Sequence, residues 1–201
     1  MQPSLADNKP NILADIKRDH AQFFSLYRQY QESNADEEKQ TLVWQLIHDL
    51  TVHSLAEEEV LYPEFTKHMG SRCRDHALSE HKTLKDILSD IDAMTVTSPG
   101  FNDKLKILMM ALEHHIKEEE DEMLVEFAGL VQREDLAHLA EKFQKSKLHV
   151  PTRPHPWAPD KPMTGNIITN TLTAPLDKLR DAVRHGMGPA HSNAPAGHNQ
   201  S

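Results

Sequence analysis

Apolar residues recur at intervals of three and four along most of the chain, the spacing of an amphipathic helix. The pattern predicts four long helices and a shorter, mostly polar fifth, over residues 11–33, 36–67, 71–94, 101–131 and 133–147. Turn-forming residues separate them: Ser33, Gly70 and a Pro99-Gly100 pair. Pro63 falls inside the second helix and should kink or break its last turns. We therefore predict an all-α fold over residues 1–148, an up-down-up-down four-helix bundle with a short fifth helix.

The composition changes after Leu148. Five prolines fall between Pro151 and Pro162, which is typical of an extended segment. Residues 171–184 could form one short amphipathic helix, and the Gly/Pro/Asn/His-rich end from Gly186 is expected to be disordered. Residues 149–201 are thus predicted to be a Pro-rich extension of the bundle.

Charge and composition exclude several classes of protein. The formal net charge of −9 disfavours binding to nucleic acid, whose phosphates would be repelled. A single cysteine, Cys73, excludes an intramolecular disulfide framework and multi-thiolate metal clusters. The longest apolar run, residues 107–112, is far too short for a membrane span, and the first residues lack the apolar stretch of a signal peptide. We expect a cytoplasmic protein with no membrane partner; the oligomeric state is not indicated.

The helical part contains an internal repeat. With a shift of 62 residues, the second predicted helix matches the fourth: Leu46, Leu50, His53, Glu57, Glu58 and Phe65 fall on Leu108, Leu112, His115, Glu119, Glu120 and Phe127. With a shift of 61, Asp19-His20 in the first helix falls on Glu80-His81 in the third. The bundle is therefore predicted to consist of two copies of one αα-hairpin.

Polar residues interrupt the apolar face of every long helix. They are His20, His53, Glu57, His81, His115 and Glu119. Facing residues lie about equally far from the turn that joins their helices, so all six should meet in one layer of the bundle. A buried carboxylate costs several kcal/mol unless it is paired or binds a metal. A hydrogen-bonded polar layer is the alternative interpretation, but six such residues at one height favour a metal site.

The spacing of these residues predicts how they would bind metal. A His and a Glu four residues apart lie on one helix face, about 6 Å apart along the axis. The imidazole can bind one ion while the carboxylate reaches a second. Two ions would then have two imidazoles each, with Glu57 and Glu119 and an oxo or hydroxo group bridging them. A nitrogen and oxygen donor set without thiolate fits two iron ions best, and manganese or zinc less well.

The order of these motifs resembles the hemerythrin-like (HHE cation-binding) family over roughly residues 10–130. The motifs are Asp19-His20, His53-Ser-Leu-Ala-Glu57-Glu58 followed by Leu61-Tyr62-Pro63, Glu80-His81, and His114-His115-Ile-Lys-Glu118-Glu119-Glu120. Four-helix bundles commonly hold metal sites in their cores, built from side chains of facing helices. The resemblance implies a non-haem diiron centre that meets O₂, NO or peroxide, or that senses iron.

One position departs from the pattern of the oxygen-carrying members, in which a second histidine is expected four residues before His81. Ala77 stands there. His76 or Glu58 could compensate; otherwise one iron has an open position, which favours reaction over reversible O₂ carriage. Two functions remain open: a protein that binds or senses O₂, NO or iron, and a diiron oxidoreductase that turns over peroxide or oxidises a small organic substrate.

Overall fold

The computed structural model describes residues 10–154, and their regular secondary structure is helical throughout. The helices are α1 (Ile12–Glu32), α2 (Asp36–Val60), α3 (Tyr62–Met69), α4 (Ser71–Asp92), α5 (Phe101–Glu118), α6 (Leu124–Leu130) and α7 (Arg133–Lys147), with a π-helical segment (Glu119–Met123) between α5 and α6. The predicted helix at 171–184 and most of the Pro-rich segment lie outside the described residues.

The helices form the predicted bundle. Its four parts are α1, α2 continued by α3, α4, and α5 continued by the π segment and α6, each packed against its neighbour in the chain. Asn11 begins α1, because its side-chain oxygen accepts a hydrogen bond from the Leu13 backbone N–H at 3.0 Å. Gly70 and Gly100 make the turns on either side of α4 with φ of 93° and 77°, in the left-handed region that favours glycine.

Two of the long helices are interrupted, and the interruptions lie at matching points of the repeat. The break predicted from Pro63 is confirmed: α2 ends at Val60, and Pro63 lies in the first turn of α3, where its missing N–H costs nothing. The prediction of one continuous α-helix over 101–131 is wrong, because residues 119–123 are π-helical. A π turn takes an extra residue and rotates the helix that follows it. Glu119, Met123 and Phe127 are consequently all buried.

Two apolar clusters fill the bundle and leave a polar layer between them. The first is built around Phe23, Leu50, Leu84 and Leu112, toward the turns at Ser33 and Gly100. The second contains Ile16, Ala56, Leu61, Ala77, Phe127 and Phe143. On α1, Ile16 belongs to the second cluster and Phe23 to the first, so His20 lies at the boundary.

Helix α7 covers the outside of α1 and α2, although the sequence predicts it to be mostly polar. Phe143 is fully buried, and its ring lies edge-on to that of His53 with 5.9 Å between the ring centroids. The chain remains packed on the bundle beyond this helix. Val150 is buried, and Arg153 Nη1 donates to both carboxylate oxygens of Asp92 at 2.6 and 2.8 Å.

Candidate metal centre

The six candidate residues come together in one buried group, here called the buried cluster. Its members are His20 of α1, His53 and Glu57 of α2, His81 of α4, His115 of α5 and Glu119 of the π segment. Each is at most 3% exposed. They come from all four parts of the bundle, so the cluster exists only when the whole bundle has folded.

The imidazoles form two pairs that correspond by the internal repeat. Nε2 of His20 lies 3.1 Å from Nε2 of His53, and Nε2 of His81 lies 3.2 Å from Nε2 of His115. Two ring nitrogens this close must share a proton or a cation, because two bare lone pairs repel each other. Each pair therefore offers two nitrogen donors to one ion.

The two carboxylates lie between the imidazole pairs. Glu57 Oε2 is 3.2 Å from His53 Nε2 and 3.5 Å from His81 Nε2. Glu119 Oε2 is 3.4 Å from His20 Nε2 and 4.0 Å from His115 Nε2. Each carboxylate thus faces one imidazole from each pair. A ligand that bridges two ions would occupy such a position.

The carboxylates also lack ordinary hydrogen-bond partners. All four oxygens of Glu57 and Glu119 are buried without a well-aligned donor. Such burial is costly unless a cation compensates it. The donor set of nitrogen and carboxylate oxygen suits iron, manganese or zinc. The residues present therefore fit a metal centre.

A second set of carboxylates holds the imidazoles from behind; we call Asp19, Glu58, Glu80 and Glu120 the outer carboxylates. The Nδ1 atoms of His53, His81, His115 and His20 lie 3.1, 3.0, 3.0 and 2.8 Å from oxygens of Asp19, Glu58, Glu80 and Glu120, respectively. These bonds turn every Nε2 inward and raise its basicity, as carboxylates behind metal-bound histidines do.

The outer carboxylates correct one expectation about Glu58. It contacts the Nδ1 atom of His81, on the far side of the ring from the cluster, so it does not replace a ligand. The sequence contained the signal for this role. In the internal repeat Asp19 corresponds to Glu80, and Glu58 corresponds to Glu120. Acidic residues at corresponding positions indicate the same role in both halves of the bundle.

The structure also decides the question raised by Ala77. Ala77 is fully buried, and no other side chain of α4 takes its place. His76 is 53% exposed and its Nε2 lies 2.7 Å from Glu118 Oε2, so the suggestion that it compensates is wrong. One step along a helix is a rotation of about 100°, which is enough to move the ring from core to surface.

Tyr62 is a member of the site that residue spacing did not identify. Its hydroxyl lies 2.8 Å from Nε2 of His81, on the inward side of the ring. Tyr62 is the first residue of α3, so the interruption at Leu61 sets its direction. Burial and the charge of Glu57 raise its pKa well above the usual value, so the phenol keeps its proton. The sequence signal was the Leu-Tyr-Pro motif beside the predicted break.

The pKa values of the two carboxylates, Glu57 and Glu119, are shifted in opposite directions in the metal-free site. Burial alone would raise the pKa of Glu57, but the His53 and His81 imidazoles hold that pKa well below its usual range. For Glu119, burial and the negative charge of Glu57 act in the same direction and raise the pKa well above its usual range. Glu57 is therefore ionised while Glu119 favours its neutral form.

The pKa values of the imidazoles are also shifted in opposite directions. Burial would lower the pKa of His53, yet Glu57 and Asp19 raise it to about 10. Glu57 similarly outweighs burial at His81 and raises its pKa to about 9. Burial and neighbouring His53 lower the pKa of His20 to about 4. Protons on His53 and His81 thus hold the positions that cations would take.

Metal loading is therefore expected to release protons. Near pH 7 the two imidazolium groups, His53 and His81, must each lose a proton before Nε2 can bind an ion, so at least two protons should leave each chain, and affinity should rise with pH. The measurement is calorimetric titration with metal in buffers of different ionisation enthalpy. A heat that does not depend on the buffer would contradict this protonation pattern.

The geometry is that of a class of proteins: helical bundles whose core presents imidazoles and carboxylates suited to a cation. Residues 11–126 match the model of the hemerythrin HHE cation-binding domain, which is more than half of the chain. This chain therefore belongs to the hemerythrin HHE cation-binding family.

Individual relatives agree with this assignment. The chain is 32% identical over 171 residues to an uncharacterized hemerythrin-like protein from Schizosaccharomyces pombe, covering 84% of each. The crystal structure of a hemerythrin HHE cation-binding domain-containing protein from Mycobacterium kansasii superposes with a TM-score of 0.61 at 25% identity, over 69% of this chain and 85% of that one.

A further relative is longer than this chain. The chain is 29% identical over 143 residues to a DNA nickase from Nostoc, which is 71% of this chain and 41% of the nickase. The similarity thus spans less than half of that enzyme.

Among the described residues, no helix is both long enough and apolar enough to cross a membrane.

Proposed function

We propose that this protein holds two iron ions in the buried cluster and uses them to bind or sense O₂, NO or iron. One observation carries the proposal: each of two fully buried carboxylates faces both imidazole pairs, and none of its oxygens has a well-aligned hydrogen-bond donor among the described residues. A hydrogen-bonded polar core would satisfy those oxygens. Manganese or zinc are the alternatives that the donor set allows.

The residues divide between the two ions. His20 and His53 would hold the first ion and His81 and His115 the second, with Glu57 and Glu119 shared. The ligand atoms of His20, His53, Glu57 and Glu119 lie within 4.8 Å of one another, and those of Glu57, His81 and His115 do so as well. Two iron ions, when bound, would each supply one electron to a small ligand.

A diiron oxidoreductase is the second candidate, and the surroundings of His81 favour it. Glu119 lies farther from this side, since its Oε2 atom is 4.0 Å from His115 Nε2 and 3.4 Å from His20 Nε2, and Ala77 adds no donor. Tyr62 brings a neutral hydroxyl to the same side, where it can donate a hydrogen bond to a peroxide-sized ligand.

A cleft of about 330 Å³ lies between α1 and α7, away from this site. None of its lining residues belongs to the buried cluster.

Anaerobic reconstitution with Fe(II) tests both functions. We expect about two iron ions per chain, followed by a spectral change when O₂, NO or hydrogen peroxide is added. A stable, reversible O₂ adduct that ignores peroxide would support binding or sensing. Rapid autoxidation with measurable consumption of peroxide would support the oxidoreductase. A chain that takes up no iron, and gives no spectral change, would contradict the proposal.

Replacement of Tyr62 by phenylalanine should weaken the binding of small polar ligands and leave the iron content unchanged. The substitution removes only the hydroxyl beside His81 Nε2. A buried hydrogen bond contributes about 1 kcal/mol, so the affinity for azide or NO should fall about fivefold to tenfold. Equilibrium titration of the iron-loaded protein measures this, with Tyr27→Phe as control, since Tyr27 packs against the other apolar cluster. Equal affinities in both variants would show that the hydroxyl does not face the ligand.

A further inference from the structure

A second group of metal-binding side chains lies on the surface of α4 and α5. His76 and Glu80 are four residues apart on α4, and His114 and Glu118 are four apart on α5. This is the spacing of His53 and Glu57 in the buried cluster, repeated on the outside of the bundle. We call these four residues, His76, Glu80, His114 and Glu118, the surface cluster.

The four side chains converge across the helix interface. His76 Nε2 lies 2.7 Å from Glu118 Oε2 and 3.9 Å from Glu80 Oε2. His114 Nε2 lies 3.3 Å from Glu118 Oε1 and 3.8 Å from Glu80 Oε1. Donors bound tetrahedrally to an ion at 2.0–2.1 Å are about 3.3 Å apart. The ligand atoms of His76, Glu80 and Glu118 lie within 4.8 Å of one another, so small shifts would bring these three around one divalent ion. Rotation of the exposed His114 side chain would add a fourth donor.

Comparison of the two repeats shows that this surface is specialised. The first repeat has different residues at the positions that correspond to the surface cluster. They are Asp15, Asp19, Val52 and Ala56, which match His76, Glu80, His114 and Glu118 in that order. There α7 covers them: Gln144 donates to Asp15, Lys147 donates to Asp19, and Val52 and Ala56 are buried.

In the second repeat no helix within residues 10–154 covers the same surface. The side chains of His76 and His114 are 53% and 67% exposed. A face that is apolar or capped in one half of the bundle thus carries two imidazoles and two carboxylates in the other. General solvation of a helix needs charged residues there, but it does not need two histidines aligned with two glutamates.

Glu80 connects the surface cluster to the buried one. Its Oε2 accepts from Nδ1 of His115 at 3.0 Å, while its oxygens also face His76 and His114. One carboxylate and one imidazole ring therefore separate the surface cluster from the ligand atoms of the buried cluster. Asp19, the matching residue, is instead neutralised by Lys147 at 2.6 Å.

We propose that the surface cluster binds a divalent first-row cation, such as Fe²⁺ or Zn²⁺, and that it is the point of entry for ions that fill the buried cluster. Surface binding follows from the four side chains alone. The entry role rests on the proposed metal pair, since it requires a buried destination.

The test uses the double variant H76A/H114A, with H138A as a control that removes another exposed histidine, on α7. Glu80 is left intact because it also supports His115. Each protein is loaded anaerobically with Fe(II) and then dialysed against Zn²⁺, and both metals are counted. Wild type and H138A should bind one zinc ion more per chain than the double variant. Equal zinc binding by all three proteins would overturn the surface site.

The entry role is tested by the rate at which the metal-depleted protein takes up Fe(II). We expect uptake by the double variant to be about tenfold slower, because it lacks the two imidazole donors that would hold an ion at the entrance while both carboxylates remain, with the same final iron content. Loss of the zinc ion with an unchanged uptake rate would overturn the entry role. If wild type binds zinc at the surface but never fills the buried cluster, the proposed function fails and the surface site stands. Circular dichroism of each variant controls for folding.

Discussion

Replacing either Glu57 or Glu119 by alanine is expected to abolish binding of both metal ions, not of one. Each carboxylate lies within 4.0 Å of an Nε2 atom in both imidazole pairs, so each would be shared by the two ions. With one bridge removed, two cations would face each other with a single negative carboxylate between them. Their repulsion in a medium of low dielectric constant is large. Iron content should fall from about two ions per chain to nearly none.

The measurement is metal counting after anaerobic reconstitution and removal of loosely bound iron. Glu126→Ala is the matched control, because Glu126 follows Glu119 along the same part of the bundle but is exposed on α6. It should retain its metal. A full complement of two ions in both Glu57→Ala and Glu119→Ala would exclude bridging by these carboxylates.

The second large effect expected is on stability: metal loading should raise the melting temperature by about 8–16 °C. A ligand at a thousand times its Kd contributes about 4 kcal/mol to the free energy of unfolding. For a chain of this size, each kcal/mol shifts the melting temperature by about 2–4 °C. The stabilisation arises because the ions would compensate the buried carboxylates of Glu57 and Glu119, whose oxygens have no well-aligned donor within residues 10–154.

Thermal unfolding followed by circular dichroism, with and without Fe(II) under anaerobic conditions, measures this shift. The Glu57→Ala variant is the control and should show almost no shift, because it cannot hold the ions. Identical melting temperatures for the loaded and metal-depleted wild type would indicate a preformed polar core that does not need metal.

Much of the fold could be predicted from local patterns. The three- and four-residue spacing of apolar positions placed α1, α4 and α7 within two residues of their observed ends. Pro63 identified the break between α2 and α3 because its ring and missing N–H act on its own turn of helix. The π segment was different. Its residues, a run of acidic side chains, are compatible with an α-helix, and only packing on both sides selects the wider turn.

The internal repeat is the reason that the six residues of the buried cluster could be chosen from sequence. One His-x-x-x-Glu pair occurs in each copy of the repeat, at the same height relative to the turns, and periodicity places both pairs on the apolar face. The structure brings those same residues together. The identity and number of the ions belong to the proposal, because several divalent metals accept this donor set.

What the amino-acid sequence determined by itself is the helical class, the order of the helices and the face that each presents to the core, because these follow from interactions within a few residues of the chain. Only the tertiary structure decided that Tyr62 reaches His81 and that, within residues 10–154, α7 packs on one half of the bundle and not on the other. Each of these depends on how distant helices are rotated against one another. A rotation of one residue, about 100°, exchanges core for surface.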